Sequence, residues 1–467
     1  MSTVSVIGGG PAGSTFAARM AQLGHHVVLL ERESFPRRRL GESLSPGVLP
    51  LLAMTGARAA VEAVGFRKVR TVRVCWDNGE EVRDDPREQG LIVDRGMFDR
   101  LLLDRARALG VRVVQPALMC STHHQGGRWL VEATAPDGPV TFEADFVADA
   151  RGRDMRARTR RWTGARTLAL HAYWRGAGLP TEPRIEAGEE AWYWAVPLPD
   201  GTCNTLLFVD ARRFRVGGEG TLTDRFLNLL GRSTLMADGG AAEMIAPPSA
   251  IDATAYIDEA CASTMSLKLG DAALALDPLS SSGVQKAIQG ALSAAIVANT
   301  LMRRPELGET ALQFHRSGLD EASQRHRSWA AGHYGRVAAK GGGPFWQSRA
   351  ADAVAEETPA PPRPDPAGKI LASCGVMLSH EAEFVELPCI EGEFVALKQA
   401  VCHPALDGPL AFLGGREVAP LLRRLPAGLT PPELVRTWSD RMPYGQATAM
   451  AGWMLDRGLL VAQGRAR

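Results

Sequence analysis

The chain has 467 residues, 45% of them hydrophobic and 22% charged, and a formal net charge of +1. That length suits two or three domains, and the composition is that of a folded globular protein, so it excludes a disordered chain and gives no electrostatic basis for a nucleic-acid partner. Its seven cysteines are dispersed with no Cys-x-x-Cys pair, which fits a reducing compartment and leaves no expected disulfide framework or metal.

In chain order, Val4-Ser5-Val6-Ile7 reads as a β-strand that runs directly into Gly8-Gly9-Gly10-Pro11-Ala12-Gly13. Gly8 permits a tight strand-to-helix turn, Gly10 lets a diphosphate approach the backbone, and Gly13 allows close helix–strand packing. The helix that follows offers free N–H groups and a positive dipole end to the phosphates. A second apolar run, Val27-Val28-Leu29-Leu30, ends on Glu31, about twenty residues on, where a carboxylate can accept hydrogen bonds from a ribose. A dinucleotide-binding unit is therefore expected at the start of the chain. The strand begins so early that no signal peptide is expected, and no apolar run reaches the roughly 20 residues of a membrane span, so a cytoplasmic location without membrane contact is expected.

Lys68 precedes an alternating strand, Val69-Arg70-Thr71-Val72-Arg73-Val74. Further alternating segments, Leu168–Trp174 and Cys203–Val209, predict an open sheet between residues 161 and 261. Trp192 and Trp194 lie two apart on one more strand and so share a face, either as core or as the wall of a site. Residues 306–340 predict one or two long helices. Five prolines between Pro359 and Pro366 then mark a semi-rigid linker, taken as 356–368. Beyond it, short strand-like pieces (Gly375–Leu378, Glu393–Leu397) precede three short amphipathic helices, the second announced by Thr430-Pro431-Pro432-Glu433. That order resembles a winged-helix unit over 369–467.

Several other segments belong together. They are Phe35–Leu44 with Gly41-Glu42-Ser43, Val93-Asp94-Arg95-Gly96, Phe146–Gly152, Leu269-Gly270-Asp271, and Leu276-Asp277-Pro278-Leu279-Ser280-Ser281-Ser282-Gly283-Val284. With the glycine turn, they resemble the FAD-dependent monooxygenases and tryptophan halogenases of the para-hydroxybenzoate hydroxylase fold, over residues 1 to about 350. The implied fold class is α/β: a Rossmann-like FAD-binding domain formed by 1–160 and 262–355, an inserted antiparallel-sheet substrate domain at 161–261, and the small winged-helix-like α+β domain. Arg151 departs from the small residue usual in the Asp149-Ala150-Arg151-Gly152 turn.

The resemblance places FAD contacts on Gly8, Gly10, Ala12, Gly13, Glu31, Arg32, Arg37, Glu42, Ser43, Arg95, Asp271, Pro278, Ser281, Gly283 and Val284. Asp271 would accept hydrogen bonds from the ribityl hydroxyls, although by itself it also reads as a helix cap. Arg37 and Arg95 read equally as surface arginines. Pro278 would wall the flavin edge, and the Ser281-Ser282-Gly283 turn would point helix N–H groups at the flavin carbonyls.

Trp192-Tyr193-Trp194-Ala195-Val196-Pro197 is similar to the Trp-x-Trp-x-Ile-Pro segment of tryptophan halogenases. Lys68 stands about where those enzymes keep the lysine that handles hypohalous acid, unless it is simply the exposed start of a strand. The aliphatic, serine-rich segment around Pro278 is similar instead to the flavoprotein monooxygenases of tryptophylquinone biogenesis, the kind that serves quinohemoprotein amine dehydrogenase. That likeness implies hydroxylation of the indole ring of a tryptophan held in a peptide or small protein, through a flavin C4a-hydroperoxide, with NAD(P)H as a transient reductant. The catalytic candidates are Lys68, Trp192, Trp194, Pro278 and Ser282, and the C-terminal domain is a candidate for peptide docking. The alternative is an FAD-dependent tryptophan or indole halogenase fed reduced flavin by a partner reductase. A flavin-bearing peptide escort without turnover, and a reductase of isoprenoid-type substrates, also stay open.

Overall fold

A computed structural model describes residues 1–84, 90–153, 159–216, 220–234, 241–351, 374–426 and 428–463. The chain divides into two compact units, residues 1–354 and 355–467. The expected linker at 356–368 lies outside the described residues.

In the first unit, β1 (Thr3–Ile7) runs into helix α1 (Pro11–Gln22) and the chain returns as β2 (His26–Leu30). Then come β3 (Arg67–Val69), β4 (Thr71–Cys75), β5 (Glu80–Asp84), helix α2 (Arg95–Ala108), β6 (Arg112–Val114) and β7 (Phe146–Asp149). After these lie β8 (Thr167–Ala177), β9 (Arg184–Ala187), β10 (Ala191–Pro197), β11 (Cys203–Asp210), β12 (Ala241–Met244), β13 (Ala262–Ser263) and β14 (Ser266–Lys268). Two long helices, α3 (Gly283–Arg303) and α4 (Gly308–Ala339), follow.

Among the described residues, six of these strands form one sheet in the order β13-β14-β7-β1-β2-β6, parallel except for the β13–β14 pair. Val4, Val6 and Leu29 in its middle are fully buried, as expected of parallel strands covered on both faces. Helix α1 packs against it through small residues. A methyl group on Gly13 would stand 1.9 Å from the Gly8 carbonyl oxygen, so only glycine permits this approach.

The second sheet runs β12-β8-β11-β10-β9-β4-β5, with Ser249–Asp252 also pairing with β8. It is wider than the 161–261 segment, because β4 and β5 join it from residues 71–84; β9 pairs with β4 in parallel, Ile185 opposite Val74. Its two faces are sorted by alternation. Trp192, Trp194, Val196, Leu206, Phe208 and Ala169 pack with Ala330, Tyr334 and Trp346, whereas Leu170, Ala172, Tyr193, Leu207 and Val209 pack on the opposite side with Phe226. The first of these faces borders the site described below.

The second unit contains β15 (Val376–Leu378), a hairpin of β16 (Glu383–Glu391) and β17 (Phe394–Cys402), helices α5 (Ala419–Arg423), α6 (Pro431–Ser439) and α7 (Tyr444–Asp456), and β18 (Leu460–Ala462), which pairs with β15. Proline in the first turn presets α6, and Glu433 accepts hydrogen bonds from both the N–H and the hydroxyl of Thr430. The unit has its own core, built on Leu434, Trp438, Met450, Met454 and Val401. Among the described residues, no helix is long and apolar enough to cross a membrane.

Candidate flavin site

A cavity of about 1260 Å³ opens between the glycine turn, the loop 37–43, the start of α3 and the second sheet. Most small-molecule sites occupy roughly 300–1,000 Å³, so this one has room for a dinucleotide and a guest beside it.

One end is built by the first βαβ unit. Gly8 has φ +107°, and a Cβ there would meet the Ala150 carbonyl oxygen at 2.5 Å, so the turn is closed to other residues. At Gly10 the added Cβ would find only the Arg37 guanidinium, 4.0 Å away: the backbone faces open space there. Helix α1 begins at Pro11 with no side-chain cap and no acid in its first turn, so its N–H groups are left for an anion. By contrast, α2 is capped by the Asp94 carboxylate, which accepts from the Met97 N–H at 2.6 Å. Glu31 lines the cavity at the tip of β2. Its Oε2 accepts from the Gly9 N–H at 2.7 Å, and its Oε1 from the Glu33 N–H at 2.9 Å, which fixes the orientation of the carboxylate in the cavity wall.

Arg37 is largely buried and lies 3.5 Å from Glu31 and 3.7 Å from Asp99. Burial lowers its guanidinium from the usual value, partly offset by these two carboxylates. Arg95 is buried and grips Asp99 through two bonds of 3.1 and 3.2 Å while donating to the Leu40 carbonyl at 2.5 Å. It touches the cavity, but its donors serve mainly to hold the loop that carries Gly41, Glu42 and Ser43. Arg32 lines the cavity with an exposed side chain paired to Glu33.

The other end is built by residues 269–284. Gly270 has φ +56° and turns the chain so that Asp271 lines the cavity, where Arg153 donates to its Oδ2 at 3.3 Å. Pro278, Ser281, Gly283 and Val284 line the cavity as well. Ser281 takes a left-handed conformation, φ 52°, the only non-glycine residue with positive φ among the described residues. A second layer holds this turn: Tyr334 donates to Asp277 Oδ1 at 2.8 Å, and His326 Nε2 donates to the Asp277 carbonyl at 2.9 Å. Helix α3 starts at Gly283 without a side-chain cap, again leaving N–H donors at the cavity wall. Two uncapped helix starts, an open glycine backbone and a carboxylate at each end form a cradle that fits FAD. Glu31 would hold the adenosine ribose, α1 the diphosphate, Asp271 the ribityl chain, and α3 the flavin carbonyls.

The remaining sequence candidates divide. Trp194 lines the cavity, half-buried. Trp192 does not: it is fully buried one layer behind, stacked on Phe208 at 3.8 Å between ring centroids and in edge contact with Trp76. Gly13 and Ser282 are not in the wall either. Gly13 serves packing, and the Ser282 hydroxyl pairs with that of Ser280 at 2.7 Å. Lys68 is not brought to the cavity. It sits exposed on β3, opposite Leu91, which is the surface-strand reading of that residue. Arg151 is accommodated by a two-bond ion pair to Asp149, at 2.9 and 2.7 Å.

Sequence reasoning missed Asp99, Arg153, His171, Tyr173 and Asn204. Asp99 stood four residues after Arg95 on a helix, a readable pair. His171 and Tyr173 were the polar residues on one face of an alternating strand.

Comparison with known proteins supports an FAD-binding domain. Residues 1–172 match the FAD binding domain family. A tryptophan 2-halogenase of Chondromyces crocatus is 32% identical over 314 residues, covering 62% of this chain and 60% of that protein, so the chain spans less than two thirds of that relative's length. The solved structure of the peptidyl tryptophan dihydroxylase QhpG, essential for tryptophylquinone cofactor biogenesis, superposes with a TM-score of 0.73 at 26% identity, covering 98% of this chain and 99% of that one. The flavin-dependent halogenase CmlS superposes with a TM-score of 0.77 over 100% of this chain and 98% of its own, at 22% identity, a likeness of fold. The chain is thus similar to FAD-dependent monooxygenases and flavin-dependent halogenases, and its residues 1–172 match the FAD binding domain family.

Proposed function

We propose that the protein is an FAD-dependent monooxygenase that hydroxylates the indole ring of a tryptophan carried in a peptide or small protein, with NAD(P)H as reductant. Reduced flavin, when bound, activates dioxygen and supplies an electrophilic oxygen; the protein's part is to place an electron-rich ring beside it and keep water out. Trp194, Val196, Leu206 and Phe208 supply an apolar wall next to the Asp277–Gly283 turn, suited to a flat aromatic guest. Holding that ring in place contributes to rate by orientation alone.

The observation that carries the choice of reaction is the cavity lining. Among the described residues that line it there is no lysine, and Lys68, the candidate for handling hypohalous acid, is exposed elsewhere. The likeness to QhpG over nearly the whole of both chains supports the same reading. The second reading, a halogenase served by a partner reductase, is favoured by the sequence relatives.

One experiment separates the two. FAD-loaded protein is incubated with a tryptophan-containing peptide, NADH, labelled dioxygen and bromide, and the peptide is weighed by mass spectrometry. Labelled oxygen in the peptide, with substrate-dependent NADH oxidation, is expected. Bromine in the peptide, appearing only when a flavin reductase is added, overturns the proposal.

A further inference from the structure

On the second sheet, β10 and β11 line the cavity with Trp194, Val196, Leu206 and Phe208, and one corner beside them is polar. There β8 presents His171 and Tyr173, β11 contributes Asn204, and the loop 37–43 brings in Glu42. Glu42 is 4% exposed and Asn204 fully buried, so each polar atom in this corner costs free energy unless it is paired.

The pairing leaves a surplus of one kind. Glu42 Oε1 accepts from the Tyr173 hydroxyl at 2.8 Å and from Asn204 Nδ2 at 3.0 Å, and its Oε2 accepts from the Gly41 N–H at 2.9 Å. A phenol has one hydrogen; given to Glu42, it leaves the Tyr173 oxygen as an acceptor only. Burial and the neighbouring carboxylate push the phenol far above its usual value, so it stays protonated. Asn204 Oδ1 and His171 Nδ1 are buried with no hydrogen-bond partner among the described residues. The corner therefore holds at least two unused acceptors, the Tyr173 oxygen and Asn204 Oδ1.

An indole has one N–H donor and no strong acceptor, the complement of this corner. We infer that Tyr173, aimed by Glu42, accepts the ring N–H of a bound indole and thereby sets which aromatic guests the site takes. This inference rests on the proposed indole substrate. Tyr173 is the contacting residue and Glu42 the positioning residue, acting by keeping the phenol hydrogen turned away from the guest. A ring bearing a methyl group on nitrogen loses the bond and leaves the acceptor unpaired, the situation in which a polar site discriminates most strongly.

The test uses FAD-loaded protein and two probes, N-acetyl-tryptophanamide and its indole-N-methyl analogue, with binding read from the perturbation of bound-flavin absorbance. Wild type is expected to favour the N–H probe, and Tyr173→Phe to shrink that ratio roughly tenfold at unchanged flavin content. Glu42→Ala, which frees the phenol to donate, is expected to shrink it too, and Glu42→Gln, which keeps an acceptor for Tyr173, to restore it. If Tyr173→Phe fails to retain flavin, the Glu42 pair gives the same reading. A ratio unchanged in both Tyr173→Phe and Glu42→Ala, or the absence of any preference in wild type, overturns the inference while leaving an indole substrate standing. If neither probe binds wild type, the indole reading falls and takes the inference with it.

Discussion

Gly8 and Gly10 stand two residues apart in one turn, yet alanine at each should fail for a different reason. At Gly8 the new Cβ would sit 2.5 Å from the Ala150 carbonyl oxygen, on a backbone of φ +107°. The conformation costs an L-residue about 1–2 kcal/mol and the overlap about 1–3 kcal/mol more, so Gly8→Ala should lower the stability of the flavin-free protein by about 2–5 kcal/mol. At Gly10 the nearest atom to the new Cβ is 4.0 Å away and the backbone is extended, with φ −70° and ψ −176°. The flavin-free protein should lose at most about 1 kcal/mol there, the preference for glycine over alanine at a helix N-cap. The methyl group instead occupies the approach of the diphosphate. An overlap of about 1–3 kcal/mol, felt only in the complex, weakens FAD binding roughly 5- to 150-fold. Urea unfolding of the flavin-free proteins measures the first quantity, and titration with FAD followed by visible absorbance measures the second. A Gly10→Ala protein that binds FAD as tightly as wild type would refute the passage of the diphosphate over this turn. So would a Gly8→Ala protein of wild-type stability refute the steric account of Gly8.

Trp192→Ala should destabilise the first unit by about 3–5 kcal/mol, as removal of a fully buried aromatic, whereas Trp194→Ala should act mainly on guest binding; thermal unfolding and substrate titration of the two variants distinguish the roles. Lys68→Met should leave turnover within about twofold of wild type, because an exposed lysine outside the cavity touches no reacting group; loss of activity at unchanged flavin content would restore the halogenase reading. His315 on α4 is buried, and burial, reinforced by Arg316, pushes its imidazole down to about 4 from 6.5. A base depressed in the folded state is protonated more readily in the unfolded one, so stability is lost as pH falls from about 6.5 toward 4, by up to about 3 kcal/mol. His315→Gln should flatten that acid limb in urea midpoints measured across the interval, and an unchanged limb would show that other groups cause it.

The cofactor half of the site was legible because its chemistry is local. A glycine turn, an acid at the tip of the next strand and a Gly-Asp turn each fit within a few residues, and the backbone does much of the binding, so the pattern survives without knowledge of the tertiary fold. The guest half was not legible, because it is assembled from pairings that sequence does not encode. Alternation in 168–174 showed that His171 and Tyr173 share a face, but nothing local showed that β11 would set Asn204 opposite Tyr173, or that Glu42, more than a hundred residues earlier, would reach both. The two tryptophans make the same point. Period-two spacing put them on one face, and the structure separates them by depth, since Phe208 and Trp76 close over Trp192 while Trp194 keeps an edge on the cavity. Arg151 shows the reverse, a local departure with a local answer: its guanidinium folds back on Asp149 and the turn holds. The inferred selectivity of this chain therefore lies in the sheet corner that carries Glu42, Tyr173 and Asn204. There a single strand position, polar or apolar at residue 173, decides whether the wall asks its guest for a hydrogen-bond donor or accepts any flat ring.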